Sequence, residues 1–136
     1  MGTYDFLLKM FQILEEHNVY ATQDFFDDIK KLVKTDVKKF ISDFTKDFIR
    51  SDLKEYKRYE RLGVTDKQNK RLDGNALFRY EYRNNSNLRC IYMVKDENNK
   101  NKTFLLCAFN EDGHKNKGKN SYKENIERAI RIYEEK

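Results

Sequence analysis

Apolar side chains recur at helical spacing through the first half of this chain, and at every second position through much of the second. From Tyr4 to His17, the positions Phe6, Leu7, Met10, Phe11 and Leu14 fall on one side of a helix. Thr22-Gln23-Asp24 has the composition of a helix N-cap, and behind it Phe25, Phe26, Ile29, Leu32 and Val33 form a second stripe. The stripe continues from Thr35 to about Tyr59 through Val37, Phe40, Ile41, Phe44, Phe48, Ile49 and Leu53. Thr35-Asp36 is placed to restart the helix there, which predicts a helical hairpin rather than one rod. Acidic residues spaced against lysines along these helices predict a solvated, salt-bridged outer face.

After Arg61 the pattern changes. Leu62 to Gly74 is polar, is edged by glycines, and predicts a loop. In Leu77–Arg83, Leu77, Arg79, Glu81 and Arg83 alternate with Phe78, Tyr80 and Tyr82, which predicts a strand with one charged and one aromatic face. Asn84–Asn87 reads as a hairpin turn. Leu88, Cys90, Tyr92 and Val94 then alternate with Arg89, Ile91, Met93 and Lys95 in a second strand. A further turn over 96–102 leads to Thr103–Phe109, the most apolar strand. Ser121 with Glu124 predicts a capping box for a last helix, whose packing face is Ile126, Ala129, Ile130 and Tyr133. The expected class is α+β: N-terminal helices packed on a small twisted antiparallel sheet, with a C-terminal helix. One globular domain is expected, with residues 1–21 as a distinct N-terminal element.

Composition adds three constraints. Only 38% of the 136 residues are apolar, but ten Phe and nine Tyr supply large buried areas, so a folded domain with a thin core is expected. The net charge of +5 lies entirely in the second half, because residues 1–68 hold 13 basic and 13 acidic side chains. Such asymmetry suits an anionic partner, nucleic acid or an acidic protein; lysine- and asparagine-rich coding bias gives the same numbers without one. No apolar run reaches the roughly 18 residues of a membrane span, and the N-terminus lacks a secretory pattern, so a cytoplasmic location without membrane contact is expected. Cys90 and Cys107 sit inside apolar strand patterns, which predicts buried thiols. Two Cys and two His at these spacings match no zinc ligand set, and no metal or other cofactor is expected.

Lys70-Arg-Leu-Asp-Gly74 is followed by Leu77-Phe78, then by Arg89-Cys-Ile-Tyr92, Leu105-Leu-Cys-Ala-Phe109, and Tyr122-Lys-Glu-Asn-Ile126-Glu-Arg-Ala-Ile130. Taken in order, these motifs resemble the RelE/ParE superfamily of toxins from bacterial type II toxin–antitoxin modules, its HigB-like branch most of all. The resemblance runs from Thr22 to Glu135, so residues 22–136 are expected to form the toxin domain. It implies a RelE-like microbial RNase-type fold and a metal-independent endoribonuclease, an mRNA interferase acting on ribosome-bound message. It also implies a cognate antitoxin that covers the basic site. The ParE branch offers the alternative of gyrase inhibition without nuclease activity, and an inactive phage or mobile-element interaction protein on the same fold is a third reading. Family members begin with a β-strand. Here that strand lies within Thr3–Leu14, or this chain has a different N-terminal element.

Metal-free RNA cleavage needs a base for the 2′-OH, a proton for the leaving 5′-oxygen, and fixed cations for the charge that builds on the phosphoryl oxygens. Arginine suits the last task because it stays charged and grips phosphate in bidentate fashion. The resemblance places Arg89 at the phosphate-binding strand arginine, Arg79 at a cation on the preceding strand, and Tyr122 at a C-terminal tyrosine that stacks a base or orients the sugar. Arg83 lies on the same predicted face as Arg79, beside the turn. His114 is the one side chain of the basic loop that ordinarily titrates near neutrality, and its lysine neighbours favour the neutral form a base requires. Lys115, Lys117 and Lys119 are candidate phosphate contacts. Glu81 stands where cleaving members carry a basic residue; it dilutes the cationic face or serves as the base. Each of these residues also has a plain reading: surface arginines, a core tyrosine at a helix start, a solvated basic loop.

Overall fold

The computed structural model describes residues 2–49, 59–82, 87–98, 100–111 and 122–135. The first stripe folds as helix α1 (Thr3–Glu16), with Leu7, Met10, Phe11 and Leu14 buried. Asn18 then turns the chain at φ 63°, a left-handed conformation that asparagine tolerates. A short strand follows, β1 (Val19–Ala21). The stretch Thr3–Leu14 is therefore helical, and the first strand comes after it.

Thr22 caps α2 (Gln23–Leu32): its hydroxyl accepts from Phe25 N–H at 3.0 Å and donates to the Leu106 carbonyl at 2.8 Å. One side chain thus starts the helix and ties it to the sheet. Asp36, at φ 51°, separates α2 from α3 (Val37–Ile49), so the stripe is two helices rather than one rod, and α3 packs chiefly against α1. The sequence reading carried this stripe on to Tyr59, but Tyr59–Arg61 is strand β2.

The expected loop at 62–74 holds a short helix, α4 (Asp66–Arg71), started by a reciprocal Thr65–Gln68 capping box. Gly74, at φ 79°, lets the chain leave it. Strands β3 (Leu77–Glu81), β4 (Leu88–Glu97) and β5 (Lys100–Asn110) follow, and then α5 (Tyr122–Glu134). Strand pairing runs through most of the turn expected at 96–102: Glu97 pairs with Lys100, and Asn98 turns at φ 53°. Asparagine at position 98 suits a tight hairpin because it accepts positive φ.

The five strands form one sheet in the order β1-β5-β4-β3-β2. Its β2–β3, β3–β4 and β4–β5 pairs are antiparallel, but β1 runs parallel to β5, so the sheet is mixed rather than wholly antiparallel. The class is α+β. One apolar cluster joins Leu7, Phe11, Phe25, Ile29, Phe40, Phe44 and Phe48 of α1–α3 to Tyr80, Cys90, Tyr92 and Leu105 of the sheet. Edge-on ring contacts of Phe44 with Tyr80 (5.4 Å) and Phe48 with Tyr92 (5.4 Å) run through it. Leu77, Ile91, Met93, Leu106, Cys107 and Phe109 pack with Ala129, Ile130 and Ile132 of α5 in a second cluster.

The expected solvated outer face is only partly so. Asp43 and Asp47 of α3 accept hydrogen bonds from the Tyr82 and Tyr80 hydroxyls, which lets both tyrosines bury their rings without an orphaned polar atom.

A bulge in β5 fixes which residues meet α5. Ile91 pairs with Cys107, but its neighbour Tyr92 pairs with Leu105, leaving Leu106 as the extra residue. Leu106 and Cys107 therefore both belong to the α5-side cluster, and Phe109 returns to that side two residues on. The cap of α2 and one of its residues hold the bulge: the Thr22 hydroxyl donates to the Leu106 carbonyl, and Asp28 Oδ2 accepts from Ala108 N–H at 2.9 Å.

Candidate functional site

Register places charge opposite charge on the α5 side of the sheet. Glu60 of β2 pairs with Arg79 of β3, and Glu81 of β3 pairs with Arg89 of β4, whose other neighbour is Phe109 of β5. Arg79 Nη2 lies 2.9 Å from Glu60, a hydrogen-bonding distance, and Nη1 lies 3.7 Å from Glu81 Oε1. The same Glu81 oxygen lies 3.7 Å from Arg89 Nε, while Arg89 Nη2 lies 3.7 Å from Glu111. The Arg89 side chain is only 13% exposed. Burial works against the charge on Arg79, and neighbouring Tyr122, Glu60 and Glu81 overcome it, so this guanidinium stays above its ordinary value.

Tyr122, the first residue of α5, completes the group. Its ring stands edge-on to Phe109 (5.1 Å, 88°), and the Arg79 guanidinium lies 5.5 Å from its centre, within cation–π range. Its hydroxyl is buried with no hydrogen-bond partner among the described residues. Burial pushes the phenol up to about 12, although Arg79 and Arg89 pull the other way. At neutral pH it is a proton donor and not a base.

Four of the sequence candidates, Arg79, Glu81, Arg89 and Tyr122, thus come together on one surface. Their setting differs from the expected cationic face. Glu60, Glu81 and Glu111 interleave with the two arginines, and sequence reasoning had noted only Glu81. The pairings of Glu60 and Glu111 depend on strand register, which no local motif reports. Arg83, His114, Lys115, Lys117 and Lys119, together with the Ser121 cap, lie outside the described residues.

Helix α5 is tied down at several points. Arg128 makes two hydrogen bonds to Asp28 of α2, at 2.8 and 2.9 Å, and Asp28 raises the arginine above its ordinary value. Arg71 of α4 bonds Glu127 and Glu134 at 2.6 Å each, and Tyr133 donates to Asp73 at 2.6 Å. The expected packing face of α5 is seen: Ala129 and Ile130 are buried and Ile126 and Tyr133 pack, partly buried, against the same cluster, while Asn125 and Ile132 are buried beside them.

Both cysteines are buried free thiols. Among the described residues, no group of three or more His, Cys, Asp or Glu is arranged to hold a metal ion, and no helix is long and apolar enough to cross a membrane. A shallow, open depression of about 390 Å³ is lined by Arg61, Leu62, Gly63, Val64, Asp66 and Asn69. None of those residues belongs to the arginine–tyrosine cluster. Comparison with known protein families, with curated proteins and with solved structures gives no match for this chain.

Proposed function

We propose that the chain is the toxin of a toxin–antitoxin module on a RelE-like fold, a metal-independent endoribonuclease that cuts mRNA on the ribosome. One observation carries the reading: Arg79, Arg89 and Tyr122, drawn from two strands and a helix start, converge on one sheet face. Two guanidinia about one position are suited to an RNA phosphate and to the charge that grows on it during in-line attack. The Tyr122 phenol, protonated at neutral pH, is a donor for a phosphoryl or leaving oxygen, and its ring is a surface for a base. Glu81, released from the arginines, is the carboxylate within the cluster that can take the 2′-OH proton. His114, Lys115, Lys117, Lys119 and Arg83 join the proposal from the sequence alone. The first four lie between Glu111 and Tyr122, two residues that border the cluster. An acidic antitoxin segment is the expected partner on the charge of Lys115, Lys117 and Lys119 rather than of the cluster, whose three glutamates outnumber its two arginines.

Pulse-labelling after induction in bacteria tests the reading. Methionine incorporation is expected to fall while thymidine incorporation continues, and Arg89→Ala and Tyr122→Phe are expected to relieve the block. An early thymidine block would instead favour a gyrase-directed protein. The three glutamates around two arginines support a second reading, a binding-only member of the same fold, for which neither label changes.

A further inference from the structure

We propose that the Arg79–Arg89 pair is a phosphodiester site which the protein keeps filled with its own carboxylate: Glu81 Oε1 stands where a phosphoryl oxygen is received, and an incoming phosphodiester takes its place. The proposal rests on the reading of the cluster as an anion site and says how that site is regulated.

The position of one atom is the ground for it. Glu81 Oε1 lies 3.7 Å from Arg79 Nη1 and 3.7 Å from Arg89 Nε. It lies between two guanidinia that belong to different strands. Neither separation is a hydrogen bond, since charge-assisted contacts of this type close to about 2.7–2.9 Å. The carboxylate is therefore held by general attraction and not by directed bonds. Its side chain is 41% exposed, so solvent is open to it when it leaves.

The other contacts differ in a way that suits exchange at this one point. Glu60 grips Arg79 through Nη2 at 2.9 Å, and this grip leaves Nη1 directed at Glu81. Glu111 faces Arg89 through Nη2 at 3.7 Å, while Nε faces Glu81. Thus Glu60 anchors Arg79 by a short contact, Glu111 stands beside Arg89 at the same long range as Glu81, and Glu81 occupies the position shared by both arginines. A phosphodiester carries the same single negative charge as the carboxylate it would displace, and its tetrahedral oxygens can close on both forks at once. The phosphodiester replaces, between the guanidinia, the single charge that Glu81 carries out toward solvent, and it makes short contacts where those of Glu81 are long. Beside this position the buried Tyr122 hydroxyl has a proton and, among the described residues, no acceptor.

Such a site discriminates. A small anion must compete with Glu81 and gains little, whereas an RNA strand brings further contacts that compensate for the exchange.

Titration of the whole chain with dimethyl phosphate, a phosphodiester monoanion, provides the test, followed by calorimetry or by NMR of the arginine side chains. Glu81→Gln and Glu81→Ala are expected to bind this probe about tenfold more tightly than wild type, the scale expected when a competing charge is removed from a partly exposed site. Adding Arg89→Ala is expected to abolish the gain. Glu97→Gln, whose carboxylate pairs with Lys95 and Lys102 instead, is expected to leave binding unchanged. Equal or weaker binding by both Glu81 variants, with melting temperatures preserved, would overturn the proposal. So would a gain that survives loss of Arg89. Oligonucleotide binding by wild type, Arg79→Ala and Arg89→Ala separates the two levels. If the arginine variants lose RNA affinity but the Glu81 variants gain none for the probe, exchange alone fails. If the arginine variants bind RNA as wild type does, the anion-site reading falls and takes the proposal with it.

Discussion

Asp28 and Arg128, one hundred residues apart, are joined by two hydrogen bonds of 2.8 and 2.9 Å, and the same Asp28 carboxylate takes the Ala108 N–H at the β5 bulge. This one side chain binds α2 to α5 and holds the strand distortion that sends Phe109 toward Tyr122. Asp28→Ala is expected to destabilise the fold by about 2 kcal/mol, below the full penalty for a buried pair because Arg128 is one-third exposed. Urea unfolding of Asp28→Ala, Arg128→Ala and the double variant measures it. A coupling energy near zero would show that the pair does not brace α5.

Replacing Tyr122 by Phe removes a buried hydroxyl that has no partner among the described residues. Stability is expected to be unchanged or to rise by up to about 1 kcal/mol, since such a group gains nothing from the fold. Tyr122→Ala also loses the contacts with Phe109 and Arg79 and should cost about 2 kcal/mol for a half-buried ring. RNA cleavage should drop in both. Full cleavage by the Phe variant would remove the phenol from the chemistry and leave only the ring.

The long helices and the facing of β3 and β4 were legible because each rests on a local period. Phe25 and Ile29 are one helical turn apart, and Arg79 and Glu81 are two strand positions apart, whatever the rest of the chain does. β1 and β2 are three residues each, too short for any period to register, and exist because β5 and β3 offer them partners. α4 was readable in principle from the Thr65–Gln68 spacing, but Gly63 and a polar composition argued for a loop. At the candidate site, residue types were legible and pairings were not. Glu60 meets Arg79, and Glu111 meets Arg89, only through strand register and packing. Asp28 showed the same limit: in sequence it was one acidic residue on a solvated face, and its partner lay a hundred positions away.

Burial holds the Cys90 thiol well above its ordinary value and the Cys107 thiol up to about 12. Neither is expected to react with an aromatic disulfide reagent at pH 8 until the chain is denatured. The same shift sets a pH dependence. Between the unfolded thiol value, about 8.5, and the folded value near 12, the unfolded chain releases a proton that the folded chain keeps. Cys107 therefore makes the fold less stable as pH rises through that window and has no effect below it. Tyr122 acts in the same direction from about pH 10 upward. Urea midpoints at pH 7 and pH 10 should fall with pH, and less steeply in Cys107→Ala. A midpoint that climbs over this range would contradict the burial of the thiols.

Arg79 and Arg89 share one RNA phosphate in this reading, so together they should contribute one phosphate's share of the counterions released on binding. For a single strand, log–log affinity against salt steepens by about 0.7 per phosphate contacted. The double variant Arg79→Ala/Arg89→Ala is expected to flatten the slope by about that amount, each single variant by no more, and all three to weaken binding across unrelated sequences alike. Lys39→Ala, at an exposed helix position paired with Asp43, should leave the slope as it is. The comparison also distinguishes polyanion binding from protein binding through the same cluster. A protein partner held by Arg79 and Arg89 would lose affinity in the arginine variants, but RNA affinity and its salt slope would not move. The arginines would then belong to an interface with an acidic segment, and the ribonuclease reading would lose the residues that carry it.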